Sequence, residues 1–182
     1  MKCVLVGDNT SGKTSLILTQ VTGEGRPRYV PTVYQRDHEE PDTSVKVDGT
    51  IVDLHLWDTV EQDEYDRLRP LSYPYTDVFL MCFSLGNRTS YEDVYTKWYP
   101  EVKRYCPNTP IVLVGLQQDL RNCGEGIRRD SVWGSAPITR TEGEQLRVDI
   151  GALQYVECSS LENKGVLGVF QAAARAGIDR YN

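Results

Sequence analysis

Eight consecutive residues near the start of the chain have the types and spacing to hold a phosphate. They are Gly7-Asp8-Asn9-Thr10-Ser11-Gly12-Lys13-Thr14, a G-x-x-x-x-G-K-T run. An apolar strand candidate, Val4-Leu5-Val6, leads into it, and Ser15-Leu16-Ile17-Leu18 leads out as a helix. A glycine-rich turn between a strand and a helix wraps its backbone N–H groups around an anion, and the helix N-terminus adds a favourable dipole. In such a loop Lys13 would reach the outer phosphates. Thr14 would offer its hydroxyl to Mg²⁺, a hard cation that takes oxygen ligands. A second carboxylate belongs to the same chemistry. Val52, Leu54 and Leu56 alternate with polar residues in a strand that delivers Asp58 at its C-terminal end, the edge of a parallel sheet at which ligands bind. There Asp58 would hold Mg²⁺ through water. The plainer reading, a cap for the segment that follows, is weaker given the loop motif.

The elements needed to bring these groups together can be read in order. The first helix runs to about Val21 and stops at Gly23 and Gly25, and Pro27 and Pro31 keep the next stretch irregular. Asp48-Gly49 between two alternating runs is a hairpin signal. Its second strand spans Ile51 to Trp57 and leaves His55 as an ordinary exposed strand residue. His38, among Asp37, Glu39 and Glu40, reads as part of a charged turn. Asp77 to Phe83 and Ile111 to Leu116 are continuous apolar runs of the kind buried parallel strands show. Between them Thr89 or Ser90 is expected to cap a helix, with Glu92 or Asp93 closing a capping box. Val94, Trp98 and Val102 would form its core face, with Pro100 kinking it or moving its boundary. Arg121 to Ala136 is polar and glycine-containing, as an inserted surface segment would be. Thr139 starts a helix with Glu142 at capping-box distance. Leu153 to Cys158 is the last strand, and Lys164 to Ile178 is a helix burying Val166, Val169, Phe170 and Ala173. Strands alternating with helices predict an α/β fold with a mostly parallel six-stranded sheet, one antiparallel edge hairpin and helices on both faces. One domain over residues 1–182 is expected.

Composition narrows the class. The chain has 182 residues, 40% of them hydrophobic, enough for one proper core. Its 20 basic and 26 acidic residues leave a net charge of −6, a poor starting point for nucleic-acid binding. No apolar run is long enough to span a bilayer. The five cysteines, Cys3, Cys82, Cys106, Cys123 and Cys158, lack metal-site spacing. Cys3, Cys82 and Cys158 lie in or beside strand candidates and read as reduced core residues, which fits a cytoplasmic setting.

Longer stretches carry a resemblance. Lys2-Cys3-Val4-Leu5-Val6-Gly7-Asp8, Tyr29-Val30-Pro31-Thr32-Val33, Leu56-Trp57-Asp58-Thr59, Asp66-Arg67-Leu68-Arg69-Pro70-Leu71-Ser72-Tyr73, Lys97-Trp98-Tyr99-Pro100-Glu101-Val102 and Cys106-Pro107-Asn108-Thr109-Pro110 together resemble the Rho family of small GTPases, closest to its Rac-like members, over almost the whole chain. The insert at about 121–136 matches the position of the family's own. The resemblance implies a GTP/GDP switch with Mg²⁺. Asp8, Asn9, Thr10, Ser11, Gly12, Lys13, Thr14 and Ser15 would form the phosphate cradle. Thr32 would close on Mg²⁺ and the γ-phosphate beside Thr14 and Asp58, and Tyr29 would cover the phosphates. Gln62, with Lys13 and Thr32, would serve hydrolysis by positioning water. Asp119 would read the guanine edge, with Gln117, Ser159 and Ser160 framing the base. Effector proteins would bind through residues about 26–40 and 58–73, which order with GTP and loosen after hydrolysis.

The departures from the family pattern are as informative. The second glycine of its phosphate loop is Asn9 here, where a side chain should obstruct the attacking water and an activating protein's arginine finger, a contribution on the order of 10³–10⁵ in rate. Its D-T-A-G is Asp58-Thr59-Val60-Glu61, which restricts a backbone swing toward the γ-phosphate and adds negative charge. Its T-K-x-D is Leu116-Gln117-Gln118-Asp119, so the lysine that lies along the guanine and steadies the phosphate loop is lost. The aromatic residue that stacks on the base aligns with Gly25, and the alanine of S-A-L is Ser160. Three weakened contacts at about 1 kcal/mol each would lower affinity by about a hundredfold or more. The expectation is an atypical Rho protein with slow hydrolysis, fast exchange, a poor response to activating proteins and a largely GTP-bound state.

Two other classes compete. A nucleotide-free scaffold would explain the lost base contacts, but Gly12-Lys13-Thr14, Thr32, Asp58 and Asp119 are all present. A phosphate-loop kinase would need a substrate lid and basic clusters. Arg26, Arg28 and Arg36 read as solvated loop charges more readily than as partner contacts. The final Arg180-Tyr181-Asn182 carries neither a basic stretch nor a lipidation box, so either the sequence is a trimmed piece or the protein is not prenylated. Membrane attachment stays open, and a monomer is expected.

Overall fold

The computed structural model describes residues 1–25, 42–59, 67–121 and 136–180. Six strands form one sheet in the order β2-β3-β1-β4-β5-β6. β1 (Lys2–Val6) lies between β3 (Thr50–Asp58) and β4 (Val78–Ser84), parallel to both. β5 (Ile111–Leu116) and β6 (Gln154–Glu157) continue the parallel array. β2 (Asp42–Val47) pairs antiparallel with β3 at the edge. The expected hairpin is present, with Val47 opposite Thr50 and positive φ at both Asp48 (50°) and Gly49 (87°). That backbone matches the right-handed twist of the flanking strands.

The strands explain the apolar pattern. β4 and β5 are buried along their whole length, because helices cover both faces of a parallel sheet. Alternate residues serve alternate layers. Cys3 and Leu5 join one cluster with Leu16 and Ile17 of α1 (Lys13–Thr22) and Val166, Val169 and Phe170 of α5 (Val166–Asp179). Val4 and Val6 join the other, with Val94, Trp98, Val102, Ile138 and Leu146. His55 is an exposed strand residue, as expected.

The helices on the second face differ from expectation at two points. α2 (Arg88–Asp93) is capped by Asn87, whose side-chain oxygen accepts from the Thr89 and Ser90 N–H groups at 3.0 and 3.4 Å. Thr89 and Ser90 are therefore inside the helix, and no capping box forms with Glu92 or Asp93. Asn is as good an N-cap as Ser or Thr, and its position one residue before Arg88 lets it reach two orphan donors. Pro100 does shift the helix: a π turn, Val94–Trp98, separates α2 from α3 (Tyr99–Tyr105), whose first turn holds the proline, where no N–H is needed. α4 (Arg140–Asp149) has the full capping box, with Thr139 and Glu142 each bonding the other's backbone N–H. Among the described residues no helix is long and apolar enough to cross a membrane.

Several sequence expectations fall outside the described residues. Tyr29, Thr32, Val60, Glu61, Gln62, His38, Arg26, Arg28, Arg36 and Cys123 are among them, as are residues 122–135 of the expected insert and most of both expected effector segments.

Candidate functional site

β1 runs straight into the phosphate-loop motif, and the turn is tight from its first residue. Gly7 has φ 145°, and a Cβ there would stand 2.1 Å from the Cys82 carbonyl oxygen on β4. The loop backbone can lie this close to the sheet only with glycine at that point. Gly12, with φ 106°, caps α1 from the left-handed region. Between them the loop folds over the Lys13 side chain, which is buried. Its Nζ donates to the Gly7 carbonyl at 2.7 Å and the Asp8 carbonyl at 2.9 Å. The Ser11 hydroxyl donates to the Asp8 carbonyl at 2.8 Å. At the exposed tip the Asn9 side-chain oxygen accepts from the Thr10 N–H at 2.9 Å, occupying one of the donors a phosphate cradle would use.

The sheet register brings Asp58 to the same place. Leu5 of β1 pairs with Asp58 at the end of β3, and Thr59, just beyond, donates its hydroxyl to the Leu5 carbonyl at 2.6 Å. Across the start of α1 the Thr14 hydroxyl donates to Asp58 Oδ2 at 2.5 Å. A hydroxyl and a carboxylate side by side at the loop mouth are the hard oxygen donors that Mg²⁺ prefers. Among the described residues no group of three or more His, Cys, Asp or Glu side chains could hold a metal. Thr14 and Asp58 thus fit a hard cation that draws its remaining ligands from phosphate and water.

The expected base-binding residues converge at the neighbouring strand ends. Gln118 N–H donates to the Cys158 carbonyl at 3.0 Å, which ties the loop after β5 to the loop after β6. Asp119 Oδ1 accepts from the Ser159 hydroxyl at 2.5 Å, and that hydroxyl oxygen accepts from the Glu162 N–H at 3.1 Å. Ser160 is half-buried, and its carbonyl accepts from the Thr19 hydroxyl on α1 at 3.4 Å. Gln117 faces the phosphate loop. Its side-chain N–H donates to the Thr10 carbonyl at 3.1 Å, so a link between the two loops persists without a lysine. A Cβ on Gly25 would stand 2.8 Å from the Leu161 carbonyl oxygen, and Asn163 Nδ2 donates to the Gly23 carbonyl at 2.9 Å. The loop after β6 thus leans against the place from which an aromatic side chain would have to emerge.

Three supporting contacts were not read from the sequence. Trp98 Nε1 donates to Asp8 Oδ1 at 2.6 Å, fixing the loop to the α2–α3 segment. Burial holds the Asp8 carboxyl above its usual range; nearby Asp93 adds to this, and the Trp98 bond opposes it. Arg69 lies over the Trp98 ring, 4.7 Å from its centroid, and grips Glu101 with two bonds of 3.0 and 2.6 Å. Arg121 grips Glu157 in the same way, at 2.5 and 2.8 Å, and also donates to the Ile138 carbonyl on the far side of the insert. Burial alone would raise the Glu157 carboxyl, but bonds from Arg121 and Tyr155 outweigh it, and the group ionises below its usual range. A carboxylate in the strand Tyr155-Val156-Glu157-Cys158 was the available sequence signal, since a charge facing the core needs a partner. Nothing in the residue spacing identified which arginine supplies it.

The phosphate-loop motif, the Thr14–Asp58 pair and the Asp119–Ser159 pair thus lie along the same C-terminal edge of the parallel strands. A protein-family model described as the Ras family matches residues 2–179 of the chain.

Proposed function

The chain belongs to the Ras family, and from that premise we propose that it is an atypical Rho-type switch that binds GTP and GDP with Mg²⁺, hydrolyses GTP slowly and exchanges nucleotide quickly. One observation carries the reading: the Lys13, Thr14 and Asp58 machinery is assembled, while the Asn9 side chain stands at the loop tip and holds the Thr10 N–H. Binding chemistry is retained where hydrolysis is obstructed. When bound, Mg²⁺ would neutralise phosphate charge, with Thr14 and Asp58 as its protein-side donors and Asp58 acting through water. Lys13 would move its ammonium from the loop carbonyls toward the phosphates. Asp119, held in place by Ser159, would accept from the guanine edge and favour it over adenine. Gln62 and Thr32 would complete the hydrolytic site.

The Rho-type assignment rests on the six matching stretches and on the insert position. Effector recognition through residues about 26–40 and 58–73, a single domain and a cytoplasmic location belong to the same proposal. Single-turnover GTP hydrolysis, with and without a Rho-type activating protein, tests it. A slow rate that the activating protein barely changes is expected. Strong stimulation would show that Asn9 leaves room for an arginine finger and would overturn the obstructed-hydrolysis reading.

A further inference from the structure

We propose that Gln117 is a positioning residue for bound nucleotide, a neutral tether that holds the phosphate loop against the base-recognising loop. The proposal rests on the nucleotide-binding reading above and adds a residue whose type had suggested a loss. Gln117 leaves β5 with φ 61°, in the left-handed region. Its side chain lies over the phosphate loop, where a Cβ on Gly12 would find Gln117 Nε2 at 3.7 Å and Cγ at 3.9 Å.

The orientation of the amide is determined by its neighbours. The Thr10 carbonyl can only accept, so the NH₂ end must face it. At the other end Oε1 accepts from the Ser84 hydroxyl at 2.5 Å, at the end of β4. Ser84 is buried, and its oxygen in turn accepts from the Gly86 N–H at 3.2 Å. The hydrogen bonds run one way, from Gly86 through Ser84 and Gln117 to Thr10, and bonds aligned in this manner reinforce one another. Thr10 itself has φ 62°, a conformation that residues other than glycine seldom adopt. Its carbonyl is held by Gln117 and its N–H by Asn9. Gln117 thus fixes the central peptide of the cradle from the strand-end side, two residues before Asp119. A lysine at this position would tether and add charge; Gln117 tethers without the charge.

The test is the release rate of a fluorescent GDP from the full chain with Mg²⁺, chased by excess unlabelled GDP. Losing one neutral hydrogen bond should speed release roughly fivefold to tenfold in Gln117→Ala. Ser84→Ala should act in the same direction and add nothing further in the Gln117→Ala background, because it works through that side chain. Gln117→Lys, which restores a donor toward Thr10, should release nucleotide no faster than the parent. A merely structural role would lower the nucleotide-free melting temperature without this pattern, and rescue by lysine would be absent. If Gln117→Ala folds poorly, Ser84→Ala and Gln117→Lys carry the test. Binding by the parent with unchanged release in Gln117→Ala, or an independent effect of Ser84→Ala, overturns the tether alone. Failure of the parent to bind overturns the nucleotide reading and the tether with it.

Discussion

On the proposed reading, Asn9 acts through its Oδ1. That atom holds the Thr10 N–H at 2.9 Å, so a phosphate oxygen must displace a protein acceptor before the donor is available. Asn9→Gly removes both the competitor and the side chain at the loop tip. We expect it to slow nucleotide release roughly fivefold, from one freed hydrogen bond, and to make hydrolysis responsive to an activating protein. Stopped-flow release and single-turnover hydrolysis on the same preparation check both. The thiols give an independent residue-level test. Burial pushes Cys3 and Cys158 up to about 12 and raises Cys82 further, so none is a thiolate near neutral pH. Titration with a thiol reagent at pH 8 should leave these three unmodified in the native protein and modify them after unfolding. Asp119 came only through the family resemblance, whereas the phosphate loop and Asp58 were legible in the sequence because that chemistry demands particular residue types at a fixed spacing. The Gln117 tether was not, since a glutamine in a loop has no pattern and its partners lie 33 and 107 residues away.

At the scale of elements, α4 depends on its first turn. Hydrogen bonds from the backbone and hydroxyl of Thr139, then from Arg88, hold the Glu142 carboxyl down to about 2. A carboxylate whose pKa is lowered by folding stabilises the fold above its unfolded value and loses that contribution as pH falls through its folded one. Its share should therefore fade between about pH 4.5 and about pH 2. Denaturant unfolding across that window should show a shallower loss in Glu142→Gln than in the parent. The other helix start shows where sequence reading fell short. Asn87, Thr89 and Ser90 are all competent caps, and the choice among them fell to the chain's exit from β4 at Ser84, whose carbonyl accepts from the Asn87 N–H at 3.1 Å. The π turn at Val94–Trp98 lies outside any residue pattern, although Pro100 announced that the regular helix could not pass unbroken.

Across the whole molecule, the site is carried by one sheet edge and braced by two ion-pair clamps. Parallel pairing of β1 with β3 sets Asp58 beside the loop, and pairing of β5 with β6 sets Asp119 beside Ser159. The fold class followed from alternating apolar runs and helices, because two-sided burial of a parallel sheet leaves that signature. The clamps were hidden because they join residues far apart in the chain. Arg69 is almost fully buried against Glu101, and removing one partner of such a pair leaves an uncompensated charge. Arg69→Ala should cost about 3 kcal/mol of stability in denaturant unfolding.

On the proposed reading, the assembled Lys13, Thr14 and Asp58 site holds nucleotide whose hydrolysis Asn9 impedes. The most direct test is the nucleotide content of the purified protein, released by denaturation and resolved by anion-exchange chromatography. Intact GTP in a large share of the molecules is the predicted result. Recovery of GDP alone would contradict the impeded hydrolysis. Recovery of no nucleotide, with no thermal stabilisation by added GTP and Mg²⁺, would contradict nucleotide binding itself and leave the chain as a scaffold built on the same fold.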